Sequence, residues 1–453
     1  MQEEERVLKR VVIIGGGPSG TVCALHLLKN AGAHPPEVII FDKKPFSHYG
    51  PLGCNMCAGL ISHTVLETLE ALGISVPASV IQRKVKSHFF ETRWGGVSFE
   101  NEPGTTLYTA YRGMGPLDPR GEEGLGFDQF LLSSAVDSGA QHIQEMVSSL
   151  ELPSNPIKSI RVKYGNNKTI EADVVVVACG VNSDFPRVLK EAGFGYTPPA
   201  TFHACQAEIP LEEEEVNNWF NNSVKVFSLG LKGISLGAIT PKRRFVTVTV
   251  LGAHVRRADL ERFLLHPTVS RHFPPNWNLP DKYCHCHPKV ATSTAKNPVT
   301  HKLMVVGDAF ISRYLKNGIE SALYTGTTAA KAILEGKISR EELIQHYVKP
   351  CRERYHLDNY YGKLLFKMHD LFARHYWFVV PRLQMVQEEA KKRDWKEKPE
   401  TQVLWHLFTG SAPYRSILSR ALSRSFATSL MREYLNMIKK RLKGKPPSKE
   451  QKP

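Results

Sequence analysis

The 453-residue chain contains no run near the roughly 18 to 20 uninterrupted apolar residues that a membrane-spanning helix requires. Its N-terminal stretch carries too many charges for a secretory leader, so the cytoplasm is the expected compartment. Eight cysteines spread over such a length are too few for a disulfide framework and read as reduced thiols. No internal repeat is visible, which excludes a solenoid, and no nucleic-acid-binding motif accompanies the basic residues. What the sequence has in excess is positive charge: a formal +15 suits phosphate-bearing ligands or acidic lipid surfaces. With 42% hydrophobic residues the chain can bury a large core, divided among about two or three domain-sized units.

Arg10 to Ile14 form a short β-branched run that opens into Gly15-Gly16-Gly17-Pro18-Ser19-Gly20. A helix-like stretch, Thr21 to Lys29, and a second run, Val38 to Phe41, follow and end at Asp42. Strand, glycine turn, helix and strand make one βαβ unit of a parallel sheet. Phe127 to Gly139 predicts an amphipathic helix with Phe130, Leu131 and Ala135 on one side, and Ile160 to Val177 predicts a hairpin ending at the Cys179-Gly180 turn. Between Thr201 and Gly252 the period is two: Val246, Val248 and Val250 share one face, Thr247 and Thr249 the other. Met304 to Val306 reads as a strand entering Gly307-Asp308-Ala309, and Gly318 to Leu334 as a small-residue helix that should pack close to the sheet. The expected architecture is α/β. A discontinuous Rossmann-type domain takes residues 1–80, 111–200 and 291–340, with an insertion at 81–110 and an antiparallel-sheet substrate domain at 201–290. A helical C-terminal cap (341–438) and a basic tail expected to be disordered (439–453) complete the chain.

Gly15, Gly17 and Gly20 have the spacing G-x-G-x-x-G: the first permits the tight turn, the second lets a pyrophosphate approach the backbone, and the third seats the helix on the strand. Pro18 and Ser19 complete the turn, where free amides and the positive helix end face the phosphates. Asp42, followed by Lys43, lies about 20 residues on, where a ribose-hydroxyl acceptor belongs.

Gly307-Asp308, followed by Lys316-Asn317-Gly318-Ile319 and a helix, resembles the second motif of the flavoprotein superfamily typified by p-hydroxybenzoate hydroxylase. The resemblance implies FAD, with Asp308 contacting the ribitol and the helix start at Gly318 and Ile319 facing the isoalloxazine ring. Arg112, followed by Phe127-Asp128, resembles the segment carrying an Arg near the flavin in these proteins; a surface charge is the alternative. Cys179-Gly180-Val181-Asn182-Ser183 keeps the turn of the superfamily's middle motif without its acid, so NAD(P)H is only one candidate reductant. The loop Tyr49 to Gly59, with Cys54 and Cys57, is similar to that of the geranylgeranyl reductase group, which uses reduced FAD to saturate carbon–carbon double bonds. That similarity implies a hydrophobic isoprenoid or lipid-like substrate and a catalytic loop cysteine. The group's Tyr-x-Trp type motif is absent from Phe227 to Pro241, so substrate identity does not transfer.

A thiol beside a flavin can act as a general acid if its pKa lies near the working pH, and Cys54 and Cys57 are the candidates; a small buried pair is the plain alternative. Two other functions stay open. One is an FAD monooxygenase. The other is an electron-transfer flavoprotein serving a redox partner protein, in which Cys284-His285-Cys286-His287 joins Cys54 and Cys57 around zinc or an iron–sulfur cluster; the C-x-C spacing is unusual, and no metal ligand is assigned. Phe366, Leu371, Phe372, Tyr376, Trp377 and Phe378 stand among many Lys and Arg residues, which suits a helical cap or docking on an anionic membrane surface.

Overall fold

The computed structural model describes residues 9–121, 124–155 and 157–442; most of the basic tail lies outside them. The Val and Ile residues of β1 (Arg10–Ile14) and β2 (Glu37–Phe41) are almost wholly buried, as parallel strands covered by helices on both faces require. Between them α1 (Pro18–Asn30) begins on a proline, whose missing N–H costs nothing in a first helical turn. Two hairpin strands, β3 (Ser87–Thr92) and β4 (Gly95–Glu100), precede α2 (Phe127–Asp137) and β5 (Gln141–Ile143). α2 buries Phe127, Leu131, Leu132 and Ala135, whereas Phe130, expected on that face, is only partly covered.

β6 (Val174–Val177) returns to the first sheet, and β7 (Thr201–Pro210), β8 (Ser223–Ser228), β9 (Leu236–Pro241), β10 (Phe245–Gly252) and β11 (Cys284–Cys286) build the second. β12 (Val299–Thr300) and β13 (Leu303–Val305) then complete the first, whose order is β12-β13-β6-β1-β2-β5. All its pairs are parallel except β12 with β13. One sheet is thus assembled from separate stretches of chain, with its strand ends gathered where the glycine turns lie.

α3 (Gly318–Leu334) makes its tightest contact with α1 rather than with the sheet: a Cβ on Gly326 would fall 2.3 Å from the Ser19 carbonyl oxygen. The second sheet has the order β11-β7-β10-β9-β8-β3-β4, with Lys289–Ala291 beside β7. It is antiparallel at every junction but one, since β8 runs parallel to β3.

The alternation in β10 carries through to β7, where Cys205, Ala207 and Ile209 stand opposite Val250, Val248 and Val246. That face packs on Phe263 and Phe273. The opposite face is largely covered as well: Thr247 is 1% exposed and donates to Glu208 at 2.9 Å, and Gln206 meets the Cys54 loop at Met56 and Ala58. Over β3 and β4 lies the cap of α4 (Lys349–Phe372), α5 (Tyr376–Glu389), α6 (Pro399–Thr409), α7 (Tyr414–Ala421) and α8 (Arg424–Leu442). Phe90 and Phe99 from the sheet pack with Leu365, Leu383, Trp405 and Phe408 from the cap in one apolar cluster.

Candidate active site

Gly15 sits at φ +114°, and a Cβ there would lie 2.4 Å from the Ala178 carbonyl oxygen, so only glycine fits. A Cβ on Gly20 would fall 2.0 Å from the Gly15 carbonyl oxygen. At Gly17 the same addition meets nothing closer than Asn55 Nδ2 at 3.8 Å, which leaves that side open to a phosphate. No side chain caps the first turn of α1, where Pro18 and Ser19 lie, so its amides remain available donors at the positive helix end. Asp42 is pinned beside the turn, accepting from Gly16 N at 2.7 Å and Lys44 N at 2.8 Å. Lys43 faces the other way, its ammonium 3.8 Å from Met146 Sδ. Lys44 enters the site instead, donating to the Cys54 carbonyl at 2.9 Å and to Asn55 Oδ1 at 2.6 Å.

β13 leads into the turn at Gly307, whose N–H donates to Thr325 Oγ1 at 2.9 Å. Asp308 Oδ1 is buried with no partner, and burial pushes this carboxyl's pKa up against the pull of Ser312 and Arg112. Opposite it, a Cβ on Gly318 would still lie 3.8 Å from Oδ1, at the start of α3 where Ile319 is buried. A buried carboxylate oxygen left without a donor, facing the bare backbone of Gly318, fits a hydroxyl-rich chain such as ribitol, which would donate the missing hydrogen bond. The open edge at Gly17, the acid at Asp42 and the orphan acceptor at Asp308 together fit FAD. Asp308→Asn is expected to stabilise the flavin-free protein by about 1 kcal/mol at neutral pH while weakening FAD retention about tenfold. Because the folded pKa lies above the ordinary 3.8, the stabilising difference should shrink as pH falls through it; thermal unfolding of FAD-stripped protein at neutral pH and near 3.8 checks this.

Arg112 is held by Asp128, Nη2 to Oδ2 at 2.7 Å, and Asp128 is 0% exposed. Asn55 Nδ2 donates to the same carboxylate, tying the Cys54 loop to the start of α2. Arg112→Met would strand a buried charge and should cost about 3–5 kcal/mol in denaturant unfolding. Adding Asp128→Asn should recover much of that loss, an outcome that a purely steric role for Arg112 would not give.

The loop itself is clamped from both domains. Gly59 O accepts from Ala110 N at 2.8 Å, and Lys242 Nζ donates to the Ala58 carbonyl at 2.7 Å. Gln206 of β7, its amide assigned by the partners it faces, donates to Met56 O at 3.2 Å and accepts from Ala58 N at 3.0 Å. Cys54 Sγ accepts from Met56 N at 3.2 Å and Cys57 Sγ from Gly59 N at 3.4 Å. Burial pushes the Cys54 thiol up, and Glu208 adds to this while the Met56 amide and Arg112 oppose it, so Cys54 is protonated at neutral pH.

Cys284 and Cys286 lie on β11, beside β7, and Cys54 influences the titration of both. Burial raises Cys284 to about 11 and Cys286 further. Among the described residues no three His, Cys, Asp or Glu side chains converge as metal ligands, so these thiols do not form a ligand set as they stand.

Lys44, Gln206 and Lys242 were not singled out from the sequence, and Asn55 and Asp128 entered only as members of motifs with no role of their own. Lys242 sits in the run Pro241-Lys242-Arg243-Arg244, which reads as a solvated basic turn, yet it is fully buried. Lys316 is half-buried: its surroundings lower its ammonium to about 8, and it lies 5.9 Å from the Phe366 ring, close enough to His88 and His369 to depress both.

Residues 12–61 match the family described as FAD-NAD(P)-binding. The chloroplastic geranylgeranyl diphosphate reductase of Nicotiana tabacum is 23% identical over 343 residues, covering 72% of this chain and 66% of that enzyme's length. The structure of a geranylgeranyl bacteriochlorophyll reductase-like protein from Thermoplasma acidophilum superposes with a TM-score of 0.64 at 18% identity, covering 94% of this chain and 98% of that one. A flavin-dependent brominase shares the fold with a TM-score of 0.61 at 16% identity, covering 96% and 99%. The doubled flavin turn on this fold defines an FAD-dependent oxidoreductase. Within that class the chain is similar in sequence to geranylgeranyl diphosphate reductases and in fold to a geranylgeranyl bacteriochlorophyll reductase-like protein.

Proposed function

We propose that the protein reduces carbon–carbon double bonds of a hydrophobic, isoprenoid or lipid-like substrate. The observation that carries this reading is the placement of Cys54: a part-buried, protonated thiol on a loop clamped between the flavin cradle and the polar face of the second sheet. Bound FAD, when reduced by NAD(P)H or another donor, supplies the hydride. The chain supplies the proton. Cys54 Sγ–H protonates one carbon as hydride reaches the other, and the thiolate then regains a proton from solvent, so each double bond gains one hydride and one proton. Gln206, Lys242 and Lys44 fix the loop backbone and hence the line of approach of the thiol. The apolar cluster between sheet and cap excludes water from that side. The name of the tobacco relative supports an isoprenoid substrate, and the Lys316 ammonium offers a place for an acidic group on it.

Anaerobic single turnover of the reduced enzyme with geranylgeranyl diphosphate tests the reading by product mass. The product should gain two hydrogens for each bond reduced, and in deuterated water both should be deuterium, because the flavin N–H and the thiol S–H each exchange with solvent. NAD(P)H-driven oxygen uptake coupled to hydroxylation, with no alkene reduction, would overturn it in favour of a monooxygenase. A visible iron–sulfur spectrum lost in Cys54→Ser would overturn it in favour of an electron carrier.

A further inference from the structure

We infer that the outer face of the C-terminal cap is a docking surface for an anionic phospholipid bilayer. α8 has two apolar faces where a surface helix needs one. Phe426, Leu430 and Met437 turn inward onto the cap. Met431, Leu435, Ile438 and Leu442 follow one another at helical spacing on the opposite side, 61%, 50%, 44% and 82% exposed. The surface continues beyond this helix. Arg441 lies over the Trp377 ring at 5.3 Å, joining α8 to the start of α5, where Trp377 and Phe378 are exposed. Phe378 stacks on Phe372 at 4.7 Å, at the end of α4 beside exposed Leu371. α4 has an outward stripe of its own, Leu357, Tyr360, Tyr361 and Leu364. Single exposed apolar residues are ordinary; a connected aliphatic and aromatic surface of this extent marks an interaction site.

Charge selects the occupant. Arg424, Arg432, Lys439 and Arg441 accompany the stripe of α8, and Lys363 and Lys367 that of α4. Of the neighbouring acids, Glu433 is buried and bonded by Arg432 and Asn436, and Glu388 is paired with Lys391. An aliphatic stripe edged by Trp, Tyr and cations matches an interfacial helix, with rings at headgroup depth and cations over phosphates. A second copy of the chain would cover the stripe, but a two-fold contact would bring these cations face to face. Among the described residues no helix is long and apolar enough to cross a membrane, so attachment is within the interface. The inference does not depend on the reaction assigned above.

Flotation of the full-length FAD-loaded protein with vesicles tests it, using phosphatidylcholine alone and phosphatidylcholine with about 30 mol% phosphatidylglycerol. Binding should appear only with the anionic vesicles and weaken about tenfold or more between ~0.1 and ~0.5 M NaCl. The double variant Leu435→Glu/Ile438→Glu should lose at least about tenfold in binding while keeping its flavin spectrum and thermal unfolding, since both side chains already meet water. Should that variant fail to fold, the wild-type tryptophan emission decides: a blue shift on adding anionic vesicles, removed in Trp377→Phe, is expected. Absence of vesicle binding, or binding indifferent to both substitutions, would overturn the proposal. So would a native dimer that the substitutions split without any vesicle affinity, because the face would then belong to a second copy.

Discussion

Cys54→Ala is expected to lower turnover by about 10²- to 10⁴-fold, the range a positioned general acid contributes. FAD content and absorbance should stay unchanged, since the flavin cradle is formed by other residues. The direction of the pKa shift sets the pH profile. A general acid works while protonated, and burial first, with Glu208 adding, holds this thiol above its ordinary 9.0. The wild-type rate should therefore be flat through neutral pH and fall only at pH above that value, and the alanine variant should lack this alkaline limb. Cys57→Ala should be milder, because the Cys57 loop backbone is held by Lys242 and Gln206 rather than by its thiol. Single-turnover flavin reoxidation by substrate measures all three; a Cys54→Ala rate within about twofold of wild type would remove the thiol from the mechanism.

The second large effect is structural. In Gly326→Val the new Cβ would meet the Ser19 carbonyl oxygen at 2.3 Å, and both partners are backbone, so no side chain can swing aside. The crossing of α1 and α3 must open, at a cost of about 3 kcal/mol or more. The same crossing aligns the phosphate-facing start of α1 with the start of α3, so FAD should be lost along with stability. Gly318→Ala makes the contrast: the nearest atom to its new Cβ is 3.8 Å away, so the protein should fold normally and lose affinity for FAD alone. Thermal unfolding together with FAD release separates the two cases, and equal stability losses would show that clearance at the crossing is not what Gly326 provides.

Much of the flavin cradle was legible because each of its requirements falls on a specific residue type. Gly15 and Gly20 leave no room for a side chain, and Asp308 supplies a buried acceptor oxygen left without a donor among the described residues. The alternation of Val246, Val248 and Val250 with Thr247 and Thr249 gave the strand and its two faces, but not what covered the polar one. That depends on Gln206, about 40 residues earlier, meeting a loop near residue 56 through tertiary contact. Lys242 was missed because a cation in a basic run is ordinarily solvated, and Lys44 enters the site in place of Lys43 because adjacent residues on an extended stretch point oppositely. The parallel pairing of β3 with β8 also lay beyond local pattern, which reports burial and not strand direction.

The Gly410 turn that ends α6 presses on the start of the flavin-facing helix: a Cβ there would stand 2.8 Å from Lys316 Cβ and 3.1 Å from Asn317 Cβ. Arg313 donates to the Ala412 carbonyl, and Tyr414 Oη to the Tyr314 carbonyl at 2.5 Å. The cap and the flavin cradle are therefore packed as one piece. A chimera that grafts the cap of a relative onto this nucleotide domain must import the segment from Arg313 to Asn317 with it, and the chain offers no modular joint at residue 340 where a substrate-specific half could be exchanged.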